Sequence, residues 1–106
     1  MLYSIVGYDV ENSLELRAQV RHEHVARLKV LEESGHLVIA GPNPAIDSNE
    51  PGAAGMTGSI IIAKFKSLDD AKEWAAEDPY LKTGVYRKVE VKPFKQVLPA
   101  PEEEQD

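Results

Sequence analysis

The chain has 106 residues, a formal net charge of −6 and no cysteine. That length is one ordinary domain, and the lack of cysteine excludes disulfides, thiolate nucleophiles and cysteine-metal sites. Nucleic-acid binding needs clustered Lys and Arg, and these residues are scattered here, so no nucleic-acid partner is expected.

The apolar runs of the chain are all far shorter than the roughly 18 residues of a membrane span. The first eight residues have the pattern of a strand, without the basic start and long apolar stretch of a secretory signal. We therefore expect a cytoplasmic protein with no membrane partner.

The first half of the chain predicts a strand over residues 2–8 and a long helix over 14–34. Asn12 and Ser13 are available as caps, and Gly35 is placed to end the helix in the left-handed conformation. A break in this helix near residues 19–21 stays open. A second strand is predicted over 36–40 and ends at Gly41-Pro42.

Residues 41–58 are rich in Gly, Pro, Ala, Asn and Asp and predict a long loop, which in a small domain is usually functional or disordered. A third strand follows over 59–65, and its run of three isoleucines indicates that both faces are covered.

A second helix is predicted to begin after Ser67, which caps it, and to end near Glu77. Asp78-Pro79 either ends that helix or starts a short extra turn closed by Gly84. The final strand is predicted over residues 85–92. Pro93 is expected to interrupt its hydrogen-bond ladder, and residues 94–98 to add a short edge segment. Residues 99–106 are an acidic, flexible tail.

The order β-α-β-β-α-β is the ferredoxin-like arrangement of an α+β domain, with both helices on one face of an antiparallel sheet. The other face then needs a partner. A second copy of the chain is the natural one, so a homodimer of single domains over residues 1–98 is expected.

His24 is the best candidate for chemistry. At about 100° per residue, Val20, Leu28 and Leu31 lie within about 40° of it, so His24 sits inside the apolar stripe of the helix. His22 points about 160° away. An inward histidine is either a satisfied core residue or a general acid/base, since histidine titrates close to neutral pH.

A catalytic histidine needs an acceptor that orients its other ring nitrogen, usually a carboxylate. Asp78 is the first candidate because it lies at the end of the second helix, which packs beside the first. Taken alone, Asp78 is more typical of a helix cap before Pro79. Asp47 is another, in a setting typical of a turn. No phosphate loop or zinc-protease spacing is present, so neither cofactor nor metal is expected.

The chain resembles the YciI-like proteins over residues 1–98. The matching segments are MLY at 1–3, RHEHVARL at 21–28, GHLVIAGP at 35–42, AIDSNEPGAAG at 45–55, WAAEDPY at 74–80 and VKPF at 91–94. The resemblance implies a dimeric α+β barrel, an architecture also seen in muconolactone isomerase. It also implies an active site built around His24 and Asp78. It supplies no reaction, although one relative is a dehydrochlorinase of a chlorinated hydroxyhydroquinone.

Three functions follow. The first is a lyase or isomerase in which His24 removes a proton from a small cyclic or aromatic substrate and Asp78 fixes the imidazole. The loop over 41–58 would close over this pocket, with contacts from Gly41, Pro42, Ser48, Met56 and Tyr80. The second is a non-catalytic module that binds a small metabolite, and the third is a purely structural dimer.

Overall fold

The computed structural model describes residues 1–101 and has the expected α+β architecture. Its elements are β1 (Leu2–Asp9), α1 (Leu14–Glu33), β2 (Leu37–Pro44), a 3-10 turn (Gly52–Ala54), β3 (Met56–Lys64), α2 (Leu68–Ala76), α3 (Pro79–Lys82) and β4 (Tyr86–Phe94). Of the acidic tail predicted over 99–106, residues 102–106 lie outside the described part.

The four strands form one antiparallel sheet in the order β2-β3-β1-β4. Side chains of β1 alternate strictly between the two faces, so Tyr3, Ile5, Gly7 and Asp9 all lie buried beneath the helices. The core between sheet and helices contains Ile5, Leu31, Ile61, Ala63 and Ala75. This is the predicted ferredoxin-like fold, with the helices on one face.

Both strands that flank the predicted loop are longer than expected. The prediction that the second strand ends at Gly41-Pro42 is wrong, because β2 continues to Pro44 and Pro42 pairs with Ser59. An edge strand tolerates proline, whose missing N–H is no loss on the unpaired side. The connection between β2 and β3 therefore covers only residues 45–55.

The tolerance of edge strands for proline also corrects the prediction for the last strand. Pro93 does not interrupt the last strand, since β4 is the other edge of the sheet and pairs through Pro93 opposite Tyr3. Phe94 completes β4 opposite Leu2 and does not begin a separate segment.

Helix α1 is unbroken over 20 residues. Gly35 follows it with φ +80°, as predicted for the residue that ends the helix. Ser13 stands at the N-cap but makes no capping hydrogen bond there. Its hydroxyl instead donates to Asp9 Oδ2 at 2.6 Å, which ties the start of α1 to the end of β1.

Helix α2 begins as predicted, since the Ser67 hydroxyl accepts the backbone N–H of Asp70 at 3.0 Å. Asp78 then caps a separate short helix, α3, with Pro79 in its first turn. Gly84, at φ +90°, follows α3 and turns the chain towards β4. Of the two alternatives for Asp78-Pro79, the short extra turn is therefore the correct one.

The three isoleucines of β3 are divided between the two faces of the sheet. Ile61 is buried in the core, whereas Ile60 and Ile62 lie on the face without helices, where Ile60 is 40% exposed. Within one chain the expected cover on both faces is therefore missing. No helix over residues 1–101 is long and apolar enough to cross a membrane.

Candidate active site

The buried side of α1 carries three residues spaced seven apart: Arg17, His24 and Leu31. Seven residues are close to two helical turns, so these side chains form one line facing the sheet. His24 is 7% exposed, while His22 and His36 are exposed to solvent. Of the three histidines, only the one predicted to point inward does so.

His24 and Asp78 meet directly. The imidazole Nδ1–H donates to the Asp78 carboxylate, at 2.9 Å from Oδ1 and 3.1 Å from Oδ2. The carboxylate is itself 3% exposed, and its Oδ1 also accepts the backbone N–H of Tyr80 at 2.9 Å. In the neutral imidazole with its proton on Nδ1, the lone pair lies on the other ring nitrogen, Nε2.

Asp78 therefore performs two tasks with one carboxylate: it caps α3 and it orients His24. Arg27 adds a positive charge to this region, with Nη2 donating to the Trp74 carbonyl at 2.8 Å and the guanidinium stacked over the Trp74 ring. Burial lowers the pKa of Arg27, and the carboxylates of Asp78 and Glu77 oppose that shift.

Tyr80 packs against His24 and lines the same cavity. Its ring lies parallel to the imidazole, with the two centroids 3.9 Å apart, and it packs edge-on against Tyr86. Burial raises the pKa of Tyr80, while the charges of Arg17 and Arg21 act to lower it. The phenol is thus kept neutral in the presence of two guanidinium groups.

A second buried polar pair, which the sequence analysis missed, joins Arg17 to Asp9. Arg17 Nε lies 2.6 Å from Asp9 Oδ2 and Nη2 lies 3.0 Å from Oδ1, so the contact is bidentate. Nη2 also donates to the Gly58 carbonyl and to the Ser59 hydroxyl. Burial acts to lower the pKa of Arg17, but the Asp9 carboxylate outweighs it and raises that pKa.

The signal for Arg17 was present in the sequence, because it precedes His24 by seven residues and so shares its face of α1. Its acceptor was not evident, since the predicted first strand over residues 2–8 stops one residue before Asp9. In the structure Asp9 is the last inward position of β1, and a bulge shifts the register of β1 against β4 between Tyr8 and Asp9.

Tyr86 packs edge-on against Tyr80. Its ring also lies against Gly7, where a Cβ atom would come within 2.6 Å of it. The Tyr86 hydroxyl is buried and has no hydrogen-bond partner within residues 1–101. Burial raises the pKa of Tyr86 strongly, although the nearby Ser59 hydroxyl acts to lower it.

An open cavity of about 280 Å³ lies between α1 and the β2–β3 side of the sheet. Polar residues in its wall are Arg17, Arg21, His24, Lys29, Glu32, Ser59 and Tyr80, and Gly41 and Pro42 line it from β2. Of the seven predicted site residues, the structure thus gathers Gly41, Pro42, His24 and Tyr80 at one cavity, with Asp78 behind the histidine.

The other two predicted contacts lie elsewhere in the chain. Ser48 is exposed in the β2–β3 connection, where its hydroxyl accepts the backbone N–H of Glu50. Met56 lines a different hollow beside Ser13 at the start of α1. Asp47, the alternative partner of His24, is exposed in the same connection as Ser48. Roles for Ser48 and Met56 stay predictions.

No group of three or more His, Asp or Glu side chains within residues 1–101 could hold a metal ion. The described site offers instead one base, one orienting carboxylate, aromatic rings and several cations around an open cavity. These are the components of proton transfer on a small organic molecule.

The sequence of the chain matches the family model of the YCII-related domain over residues 1–95. Protein YciI of Escherichia coli O6:H1 is 57% identical over 98 residues, which is 92% of this chain and the full length of that protein. A protein of a benzaldehyde-derivative biosynthesis cluster in Emericella nidulans is 36% identical over 67% of this chain and 74% of its own length.

Among solved structures, the chain is similar to 5-chloro-2-hydroxyhydroquinone dehydrochlorinase from Burkholderia phenoliruptrix, determined in complex with 2,5-dihydroxybenzoquinone. The TM-score is 0.80 at 27% identity, covering 92% of this chain and 96% of that one. A second structure, from Agrobacterium tumefaciens, has a TM-score of 0.51 at 21% identity and shares the fold.

Proposed function

The chain belongs to the YCII-related domain family, and from that premise we propose that it is a lyase or isomerase of a small cyclic or aromatic compound. His24 is its general acid/base and Asp78 is the residue that orients it. The observation that carries the proposal is the 2.9 Å contact of a buried carboxylate with one ring nitrogen of a histidine that lines an open cavity.

The division of labour follows from the two ring nitrogens. Asp78 holds the proton on Nδ1, so the neutral ring presents the lone pair of Nε2 to a substrate. When Nε2 takes a proton, the ring becomes an imidazolium and its new charge faces a carboxylate already in place. General acid/base assistance of this kind is typically worth about 10² to 10⁴ in rate.

The reaction needs no oxidant. His24 takes a proton from a hydroxyl or an acidic carbon of the substrate, and the electron pair left behind spreads over the ring and its oxygens. In an elimination from a hydroxylated ring, the carbon that bears the leaving group first takes up a proton from one hydroxyl. Removal of a proton from a second hydroxyl then supplies the electron pair that expels chloride with its bonding electrons and leaves a quinone. In an isomerisation His24 returns the proton to another atom of the same molecule.

The comparisons support a substrate of this class. The dehydrochlorinase that shares the fold acts, by its name, on a chlorinated, hydroxylated ring and was determined with a dihydroxylated quinone. The Emericella relative belongs to a cluster for derivatives of benzaldehyde, which is also aromatic. A planar ring would also find the stacked rings of His24 and Tyr80 at the cavity wall.

The test is chloride release from 5-chloro-2-hydroxyhydroquinone by wild type, His24→Gln and His22→Gln. His22 is the matched control, since it lies on the same helix but is exposed. We expect release by wild type and His22→Gln and a loss of about 100-fold or more in His24→Gln. Equal rates in all three proteins would remove His24 from the chemistry.

A non-catalytic module is the alternative. It predicts that 2,5-dihydroxybenzoquinone raises the melting temperature of the protein while the chlorinated compound is bound and never consumed. Binding without chloride release by wild type would favour this alternative over the enzyme.

We further propose that the protein acts as a homodimer through the helix-free face of the sheet. That face carries Ile39, 60% exposed, and Ile60, 40% exposed, beside Val6 and Ile62. Exposed apolar surface of this kind marks an interface. Sedimentation should give a dimer for wild type and a monomer for Ile60→Lys, and a monomeric wild type would contradict the proposal.

A further inference from the structure

Arg17 differs from an ordinary structural arginine in one respect. Asp9, Gly58 and Ser59 accept hydrogen bonds from its Nε and Nη2. Within residues 1–101 the third guanidinium nitrogen, Nη1, makes no hydrogen bond of 3.5 Å or less, and the Tyr80 phenol is the polar group next to the guanidinium, whose charge acts to lower the Tyr80 pKa. The side chain is therefore held rigidly through Nε and Nη2, while Nη1 keeps donor capacity for a further acceptor.

Arg17 lines the same cavity as His24. Both groups contact one ring, because His24 stacks on Tyr80 and the Arg17 guanidinium carbon lies 4.8 Å from the centroid of that ring. A base and a fixed cation thus flank a single aromatic side chain. One small molecule in this cavity can meet both of them.

The charge of the cavity wall is opposite to that of the chain. Arg17, Arg21 and Lys29 line it, and Glu32 is the only acidic residue among its lining residues. Within residues 1–101, Arg21 and Lys29 form no ion pair, so their charges are available to a ligand. In a chain of net charge −6 this is a localised positive patch.

We propose that the cavity binds a small planar acid as its anion, with a deprotonated enol, phenol or carboxyl oxygen on Arg17 Nη1, and that Arg21 and Lys29 attract it. Anion binding stands by itself. The catalytic role of Arg17 rests on the proposed function: when His24 removes a proton, the negative charge that develops on a substrate oxygen meets donors already fixed by Asp9.

The experiment compares two probes that share a ring and differ in charge. 2,5-Dihydroxybenzoquinone is a vinylogous acid and is anionic at neutral pH, whereas 2,5-dimethoxybenzoquinone has no acidic hydroxyl. Calorimetry should show that wild type binds the dihydroxy compound at least tenfold more tightly, and that added salt weakens only this binding. Equal affinities for the two probes, or no binding of the dihydroxy compound, would overturn the proposal.

Variants assign the effect to residues. Asp9→Asn/Arg17→Gln removes the guanidinium without leaving a buried charge unpaired, and it should weaken binding of the dihydroxy compound by about tenfold to a hundredfold. Arg21→Gln should weaken it by about threefold to tenfold. Lys72→Gln, an exposed charge outside the cavity, changes the net charge equally and should leave the affinity within twofold.

Arg17→Lys keeps the charge but loses the planar fork, and it covers the case in which the double variant does not fold. It should weaken binding at least fivefold. A folded Arg17 variant that binds the dihydroxy compound with wild-type affinity would contradict the proposal. Chloride release is read separately, so anion-selective binding that depends on Arg17, combined with His24-independent release, would refute the proposed function and keep this inference.

Discussion

The ring of Tyr80 lies parallel to the imidazole of His24, with 3.9 Å between centroids and 10° between planes. Tyr80 follows Asp78 by two residues and donates its backbone N–H to the same carboxylate that accepts from His24. One short helix therefore supplies both the acceptor and the stacking surface for the histidine.

Removing the Tyr80 ring should destabilise the protein strongly, because the side chain is almost fully buried. We expect Tyr80→Ala to lower the free energy of unfolding by about 3–5 kcal/mol. Tyr80→Phe keeps the ring and should cost less than about 1 kcal/mol. Urea denaturation measures both, and a Tyr80→Ala variant as stable as Tyr80→Phe would show that the stack does not support the fold.

Asp78→Ala should lose the cap of α3 and leave the His24 Nδ1–H unpaired. The lost cap costs about 0.5–2 kcal/mol, and a buried unsatisfied donor costs a further 1–3 kcal/mol, roughly. Asp78→Asn keeps an oxygen at both contacts, so its unfolding free energy should stay closer to wild type while activity falls. Equal stability of the Ala and Asn variants would contradict the double role of this carboxylate.

Breaking the Asp9–Arg17 pair from one side should cost more than removing it from both. Arg17→Met leaves the Asp9 carboxylate buried and uncompensated, for which we expect a loss of about 3–5 kcal/mol. Asp9→Leu/Arg17→Met should regain a large part of that loss. Denaturant unfolding of both single variants and the double variant gives the coupling energy, and additive effects would rule out a mutually dependent pair.

Gly7→Ala should destabilise the protein by about 1–3 kcal/mol, since the new methyl group would lie 2.6 Å from the Tyr86 ring. Gly41→Ala is the matched control. A Cβ at Gly41 meets nothing within 4 Å, and its φ is not in the left-handed region. The control should change the unfolding free energy by less than about 0.5 kcal/mol; a loss equal to that of Gly7→Ala would argue against the clash.

Tyr86 should resist ionisation in the folded protein, because burial raises its pKa above the ordinary value of 10.0. Above that value the unfolded chain releases the phenolic proton while the folded chain retains it. Stability therefore falls as the pH rises past about 10 towards the pKa of folded Tyr86. Tyrosinate absorbance of wild type minus Tyr86→Phe should stay flat until the protein unfolds, and an early step at pH 10 would contradict the shift.

The strand ends at the prolines could not be predicted from the sequence. A proline is compatible with a strand only at a sheet edge, and the sequence does not say which strands are edges. Once the order β2-β3-β1-β4 is known, Pro42, Pro44 and Pro93 fit within strands and the predicted loop shortens to residues 45–55. Strand order is a property of the whole chain.

Local periodicity was enough to place His24 on the buried side of α1, to place Ser67 and Asp78 at caps, and to give the ferredoxin-like order of elements. These features depend on neighbours within one or two helical turns. The contact of His24 with Asp78 was predicted from a second helix that packs beside the first and ends at Asp78, whereas in the structure the helix that contacts α1 there is α3. Its distance, and the parallel ring of Tyr80, depend on packing between residues that are 54 and 56 positions apart.

The excess of positive charge in the cavity wall was decided by tertiary structure alone. In sequence, Arg17, Arg21 and Lys29 are scattered basic residues of an acidic chain. Folding places them along one wall, pairs Arg17 with a carboxylate from β1, and leaves one acidic side chain among the lining residues. The sequence by itself determined which residues of α1 face inward. What they face, and therefore the charge of the site around His24, was decided by the assembly of the sheet.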